Sequence, residues 1–214
     1  FIFVDRSEGL VYEDFTWLGQ YKTPFPCYKI FDASQYLTNI ICHDYTSPFE
    51  MGFDLILSTL HKNLPGPQRA LVCAKEANET WSRLRSGIST YVSNMHVFSI
   101  YSAGLLLKDY EKLKLLSRNM LENASLLEME LLARNIPVVK RNTSQKSPPT
   151  HHCWIGPLCK HDAFNLYTTL EKIGIQTNYR LLPYDIGYGL RLGLSGATNS
   201  GLRTVHIPEL AEII

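Results

Sequence analysis

Two short apolar runs, each ending in residues capable of chemistry, constrain this chain more than any other feature. The first, Cys27-Tyr-Lys-Ile-Phe31, delivers Asp32 at its end. The second, Phe53-Asp-Leu-Ile-Leu57, ends in Ser58, Thr59, His61 and Lys62, then breaks into the turn Leu64-Pro-Gly-Pro67. Both have the length and apolar content of buried strands bounded by turn residues. Asp32 and Lys62 lie thirty positions apart, room for one crossover and the next strand of a parallel sheet. Open α/β sheets hold ligands at the carboxyl ends of their strands. The spacing therefore predicts an α/β domain in which a carboxylate and an amine share one sheet edge.

A lysine at a strand end, among hydroxyls and an imidazole, is poorly placed for solvation and well placed to form an imine with an aldehyde cofactor. A lysine that has simply reached the surface fits the same segment. Asp32 likewise reads either as a partner for that lysine or as a turn or capping residue. Together the two are what pyridoxal phosphate needs. The amine carries the aldehyde, and the carboxylate keeps the pyridine nitrogen protonated so that the ring accepts electrons from Cα. Farther along, Gly187-Tyr-Gly-Leu-Arg191-Leu-Gly-Leu-Ser-Gly196 sets one arginine in an apolar, glycine-spaced segment. A guanidinium there suits a planar anion such as a substrate carboxylate, or a structural ion pair.

These segments resemble those of serine hydroxymethyltransferase and its relatives in the fold-type-I pyridoxal phosphate superfamily. Ser58-Thr-Leu-His-Lys62 with Leu64-Pro-Gly-Pro67 is similar to the family's threonine-rich His-Lys motif and its downstream Gly-Pro. Phe31-Asp-Ala-Ser-Gln35 is similar to the cofactor-aspartate motif, and Gly189-Leu-Arg-Leu-Gly193 to the segment carrying the substrate-carboxylate arginine. Tyr91-Val-Ser-Asn-Met-His96 falls where the family has a glycine-rich turn reaching the partner subunit's phosphate site. The resemblance implies an α/β fold: part of a fold-type-I (aspartate aminotransferase-like) large domain plus a smaller α+β carboxy-terminal domain. It implies Lys62 as the imine lysine, Asp32 as the pyridinium partner and Gln35 beside the ring oxygen. Ser58, Ser93 and Asn94 would be further cofactor-binding residues, Thr59 and His61 would place or relay protons, and Arg191 would bind the substrate carboxylate. The implied chemistry is Cα–Cβ cleavage or transfer on a small α-amino acid, of the hydroxymethyltransferase, aldolase or transaldolase kind. Amino transfer, and a non-catalytic partner subunit of a split enzyme, are the alternatives. The chain departs from the family at Gln35 (usually histidine), at Gln68 (usually arginine), at Ser93 and Asn94 (usually a double glycine), and over Ser195 to Gly201. These departures bear on folate handling rather than on cofactor chemistry.

The bulk properties fit an enzyme chain. At 214 residues and 45% hydrophobic the chain can bury a core. Its 21 basic and 20 acidic residues leave a net charge of +1, no electrostatic ground for binding nucleic acid. No apolar stretch approaches the ~20 residues of a membrane span. Cysteines 27, 42, 73, 153 and 159 form no close pair. With no CxxC spacing, even beside His151, His152 and His161, they point to a metal-free protein in a reducing, cytoplasmic compartment. A helical stripe carries Met95, Phe98, Leu105 and Leu106. It breaks at Lys108-Asp109 and resumes through Leu113, Leu116, Met120, Ala124, Leu127 and Leu131, until Asn135-Ile-Pro ends it. The expected division is a cofactor-binding part over 1–134 and a small domain over 135–214. In the latter, strands are expected over 136–140, near 152–155 and over 175–181, with a helix over about 162–173. A complete fold-type-I enzyme has a larger amino-terminal part. The chain is therefore expected to act with a chain or segment supplying it, as a dimer or larger assembly.

Overall fold

The computed structural model describes residues 1–6, 8–92, 94–139 and 149–214. These residues divide into two units, one built from Phe1–Ser7 and Asp14–Lys114, the other from Glu8–Glu13 and Leu115–Ile214.

The first unit holds a four-stranded sheet in the order β1 (Ile2–Asp5), β2 (Lys29–Asp32), β3 (Leu55–Thr59), β4 (Ala70–Ala74). The first three strands are parallel, and β4 returns antiparallel to β3. Asp5 pairs with Asp32, and Asp32 with Leu57, so the strands end together at one edge. Helix α1 (Thr16–Gly19) precedes β2, and α2 (Leu37–Ile41) and α3 (Pro48–Met51) make the crossover to β3. The start of α3 is written in the sequence. Ser47 and Glu50 form a reciprocal capping box, and Pro48 takes the first helical position, where its missing N–H costs nothing. Gly52 ends the helix in the left-handed region at φ 100°, where a side chain would be strained. Beneath these helices Phe31 and Phe53 meet edge to face at 5.3 Å, with Tyr36 and Met51 fully buried alongside. After β4 come α4 (Glu79–Tyr91), capped by the Asn78 side chain, and α5 (Val97–Lys108). Neither helix buries a residue. Helix α6 (Tyr110–Ala133) follows a break at Asp109, where the sequence pattern places one. Its Leu113 packs with Leu37, Cys42 and Leu64.

The second unit is an antiparallel sheet in the order β5 (His152–Leu158), β7 (Tyr188–Gly193), β6 (Asn178–Leu181). Helices α7 (Lys160–Lys172), α8 (Leu194–Asn199) and α9 (Ile207–Ile213) complete it. Side chains alternate across the sheet. Cys153, Ile155, Leu190 and Leu192 enter a core with Leu127 and Leu131 of α6, Leu170 of α7 and Ile207 of α9. Trp154 belongs to a second cluster with Val139, Leu182 and Leu10. The strand expected over 136–140 does not form among the described residues, and Lys140 lies outside them. Val138 makes an isolated bridge to Ile155, and the Val139 N–H bonds the Trp154 carbonyl at 2.8 Å. Pro137 has no N–H to extend that ladder, which stops at the bond from the Gly156 N–H to its carbonyl. Among the described residues no helix is long and apolar enough to cross a membrane.

Candidate active site

The shared strand edge of the first unit is tied together by short polar contacts. Asp32, half-buried at the end of β2, accepts the Ser34 N–H on Oδ1 at 2.8 Å. This Asx turn bends the chain toward the buried Gln35. Across the edge, the Ala33 N–H bonds the Leu57 carbonyl at 2.8 Å. The buried Ser58 hydroxyl donates to the Ala33 carbonyl at 3.3 Å. Ser58 therefore stitches β3 to the residue after Asp32. One position on, the Thr59 hydroxyl is buried with no hydrogen-bond partner among the described residues, and such orphans call for an explanation.

Lys62 sits in the loop of the β3–β4 hairpin. The Leu60 N–H bonds the Arg69 carbonyl at 2.8 Å, and the Gly66 N–H bonds the Leu60 carbonyl at 2.7 Å. A Cβ on Gly66 would stand 2.6 Å from that carbonyl oxygen, so the turn closes only with glycine there. The anchor of the loop is Asn63, which is fully buried. Its Oδ1 accepts the Thr38 N–H at 2.6 Å, its carbonyl accepts the Thr38 hydroxyl at 3.0 Å, and its Nδ2 donates to Asn39 Oδ1 at 3.1 Å. Sequence reasoning passed over Asn63. The only signal was a polar amide between Lys62 and the apolar Leu64. The same anchoring corrects an expectation about solvation: Asn63 and Leu64 take the buried positions, and His61 and Lys62 are exposed.

A cavity of about 1100 Å³ lies between this hairpin and the helices α4 and α5, lined by Thr59, His61, Arg69, Tyr91, Asn94 and Ile100 among others. Asn94 is exposed, and its Oδ1 accepts the His96 N–H at 2.9 Å. Ser93 lies outside the described residues. The cavity thus gathers Thr59, His61 and Asn94 of the expected set, while Asp32, Gln35, Ser58 and Lys62 are not in its lining.

Arg191 belongs to the second unit, on the central strand β7, paired with Trp154 on one side and Asn178 on the other. It donates to the Glu8 carbonyl at 2.9 Å, and its guanidinium lies 5.7 Å from the centre of the Trp154 ring. His151 and His152 are buried beside it with ring centres 3.9 Å apart. The Gly9 carbonyl takes the Thr150 hydroxyl at 2.9 Å and lies 3.1 Å from His152 Nδ1. Burial, helped by the Arg191 charge, lowers the His151 pKa to about 3. Burial, His151 and Arg191 together hold His152 well below the usual imidazole range, against the bond to Gly9. Both rings are therefore neutral at pH 7, and the charge of this corner is that of a planar cation suited to a carboxylate.

The chain is similar in sequence to several serine hydroxymethyltransferases. It is 28% identical to that of Thermoplasma acidophilum over 199 residues, which cover 88% of this chain and 46% of the relative. The enzyme of Archaeoglobus fulgidus is 28% identical, with 87% and 44% covered, and that of Picrophilus torridus 25%, with 92% and 50%. The chain spans about half the length of the curated relatives it matches. No protein-family model matches it. Among solved structures, L-threonine transaldolase from Pseudomonas fluorescens superimposes with a TM-score of 0.88 at 22% identity, covering 98% of this chain and 48% of that one. This likeness shows the fold. A mixed-sheet α/β part and a smaller antiparallel-sheet part match the large- and small-domain organisation of fold-type I pyridoxal phosphate enzymes.

Proposed function

We propose that this chain, a fold-type I relative of the serine hydroxymethyltransferases, carries the lysine of a pyridoxal phosphate site and serves Cα–Cβ cleavage or transfer on a small α-amino acid. The observation that carries this reading is the parallel register of β2 and β3, which brings the Asp32 carboxylate to the edge from which the Lys62 hairpin springs. The donor set fits the cofactor: a primary amine, a carboxylate, the Gln35 amide and the unpartnered Thr59 hydroxyl. Bound there, pyridoxal phosphate supplies an electron sink for bonds broken at Cα.

The chain's own residues do the rest of the work in this reading. Asp32 has one oxygen held by the Ser34 N–H and the other available to a ring N–H. Lys62 keeps an exposed, movable amine on a loop that Asn63 fixes at its root. Thr59 and His61 hold or move a proton of the substrate, and Arg191 grips its carboxylate. Ser58 and Asn94 are the remaining cofactor residues, with Ser93. The assembly is a dimer or larger complex that supplies the remainder of the site. What supports this is α5, apolar along its length yet with no buried residue, as befits a helix covered by another chain.

The test is the absorbance of the purified protein saturated with pyridoxal phosphate. A visible band that borohydride abolishes is expected, and Lys62→Ala should lack it while keeping its far-ultraviolet circular dichroism. Borohydride-reducible cofactor in the variant would overturn the assignment of Lys62. A keto acid product in place of an aldehyde would reassign the reaction to amino transfer.

A further inference from the structure

Trp154 is the centre of a basic corner that the reading above only half uses. It is 1% exposed, and two guanidiniums from neighbouring strands approach the same indole: Arg191 of β7 at 5.7 Å and Arg180 of β6 at 5.5 Å from the ring centre. Arg180 faces Gly189 in the register, while Arg191, two residues along β7, faces Asn178. Like charges brought to one ring repel, and the face of an indole compensates for that only in part. Among the described residues no carboxylate lies within ion-pair distance of Arg180. Its hydrogen bond there is a long one, from Nε to the Leu181 carbonyl at 3.4 Å. The indole N–H of Trp154, a group that can only donate, is buried with no acceptor among the described residues. The neighbouring imidazoles of His151 and His152, kept neutral by burial, add no negative charge.

We propose that Arg180, Arg191 and the Trp154 N–H form a binding site for a small dicarboxylate, so that the amino acid or acceptor used by this protein carries a second acidic group. The proposal rests on the reading of Arg191 as the substrate-carboxylate arginine and deepens it. Two separate forks on two strands match two planar anions. Each guanidinium can make paired bonds to one carboxylate, while the ring limits its freedom to turn away. Each carboxylate oxygen keeps a second lone pair, and one of these can accept the buried indole N–H. A substrate with a single carboxylate would leave Arg180 and the indole as they are now.

Calorimetric titration of the full chain with succinate, acetate and inorganic phosphate, without pyridoxal phosphate, tests this. Succinate should bind at least about tenfold more tightly than acetate, the effect of one added charge-assisted pair. Arg180→Gln should bring succinate to the affinity of acetate and leave acetate unchanged. Thermal melting reports whether that variant folds. If it does not, Trp154→Phe, which keeps the ring and removes the N–H, must weaken succinate more than acetate. Equal affinity for succinate and acetate overturns the proposal. So does tighter binding of phosphate than of succinate, or a folded Arg180→Gln protein with unchanged succinate affinity. The titration needs neither cofactor nor turnover. A failure of the Lys62 assignment would therefore show in the absorbance experiment and leave this result standing.

Discussion

Acidification from pH 7 to pH 5 should destabilise the second unit by about 2 kcal/mol through His151 alone. In the unfolded chain an imidazole takes its proton near pH 6.5, whereas in the fold His151 resists it down to about 3. Between those values the unfolded state binds a proton that the folded state does not, so stability rises with pH at about 1.4 kcal/mol per pH unit. The loss begins as pH falls through 6.5, amounts to one and a half such units at pH 5, and levels off below about 3. His152, lowered by the same burial, adds in the same direction. Asp14, whose carboxyl is lowered by its bonds to Thr16, acts only below its ordinary value of 3.8 and leaves this window clear. For a chain of this size, 2 kcal/mol is a fall in melting temperature of about 4–8 °C. Urea unfolding followed by circular dichroism at half-unit steps of pH measures it, and His151→Leu should remove the slope of one proton. Stability that is flat or rising on acidification, or a slope that survives in His151→Leu, would show that the buried imidazoles are not neutral for the reason given.

Asn63→Ala should cost about 1–3 kcal/mol, because it leaves the Thr38 N–H without its buried acceptor, and should loosen cofactor retention. Urea midpoints and the visible band on dilution report the two effects. Gly66→Ala should cost about 1–3 kcal/mol by forcing its Cβ against the Leu60 carbonyl, and a melting curve like that of the parent would remove the close approach. Asp32→Ala should reduce turnover far more than it reduces cofactor binding. Near-parental rates would move the pyridinium role elsewhere.

The first sheet was legible because its strands are contiguous apolar runs closed by polar residues. Phe31 and Phe53 point inward, and Asp32 and Thr59 mark where each run ends. The helix break was legible from Lys108-Asp109. The segment 136–140 misled because two valines suggest a strand, while one proline N–H decides whether a ladder can grow. The exposure of Lys62 was not legible, since it depends on which loop residue takes the buried place. Asn63 does so through partners on α2 that are 24 and 25 positions away. The burial of the paired imidazoles His151 and His152 was not legible either. Their burial beside Arg191 comes from Glu8 and Gly9, whose bonds span 141 to 183 positions and leave no trace in local periodicity.

Those long bonds also set an order of assembly on the ribosome. All four strands of the first sheet have been made by Ala74, so that sheet can pair while the rest of the chain is still being translated. Glu8 to Glu13 are synthesised before the rest of their unit, and Glu8 meets Arg191 only 183 positions later, a wait of roughly 10–40 s at usual elongation rates. Until then Leu10 has no Trp154 or Leu182 to cover, and the carbonyls of Glu8 and Gly9 have only water. The second unit therefore closes after the first sheet, and its earliest-made segment is the one a chaperone would meet longest.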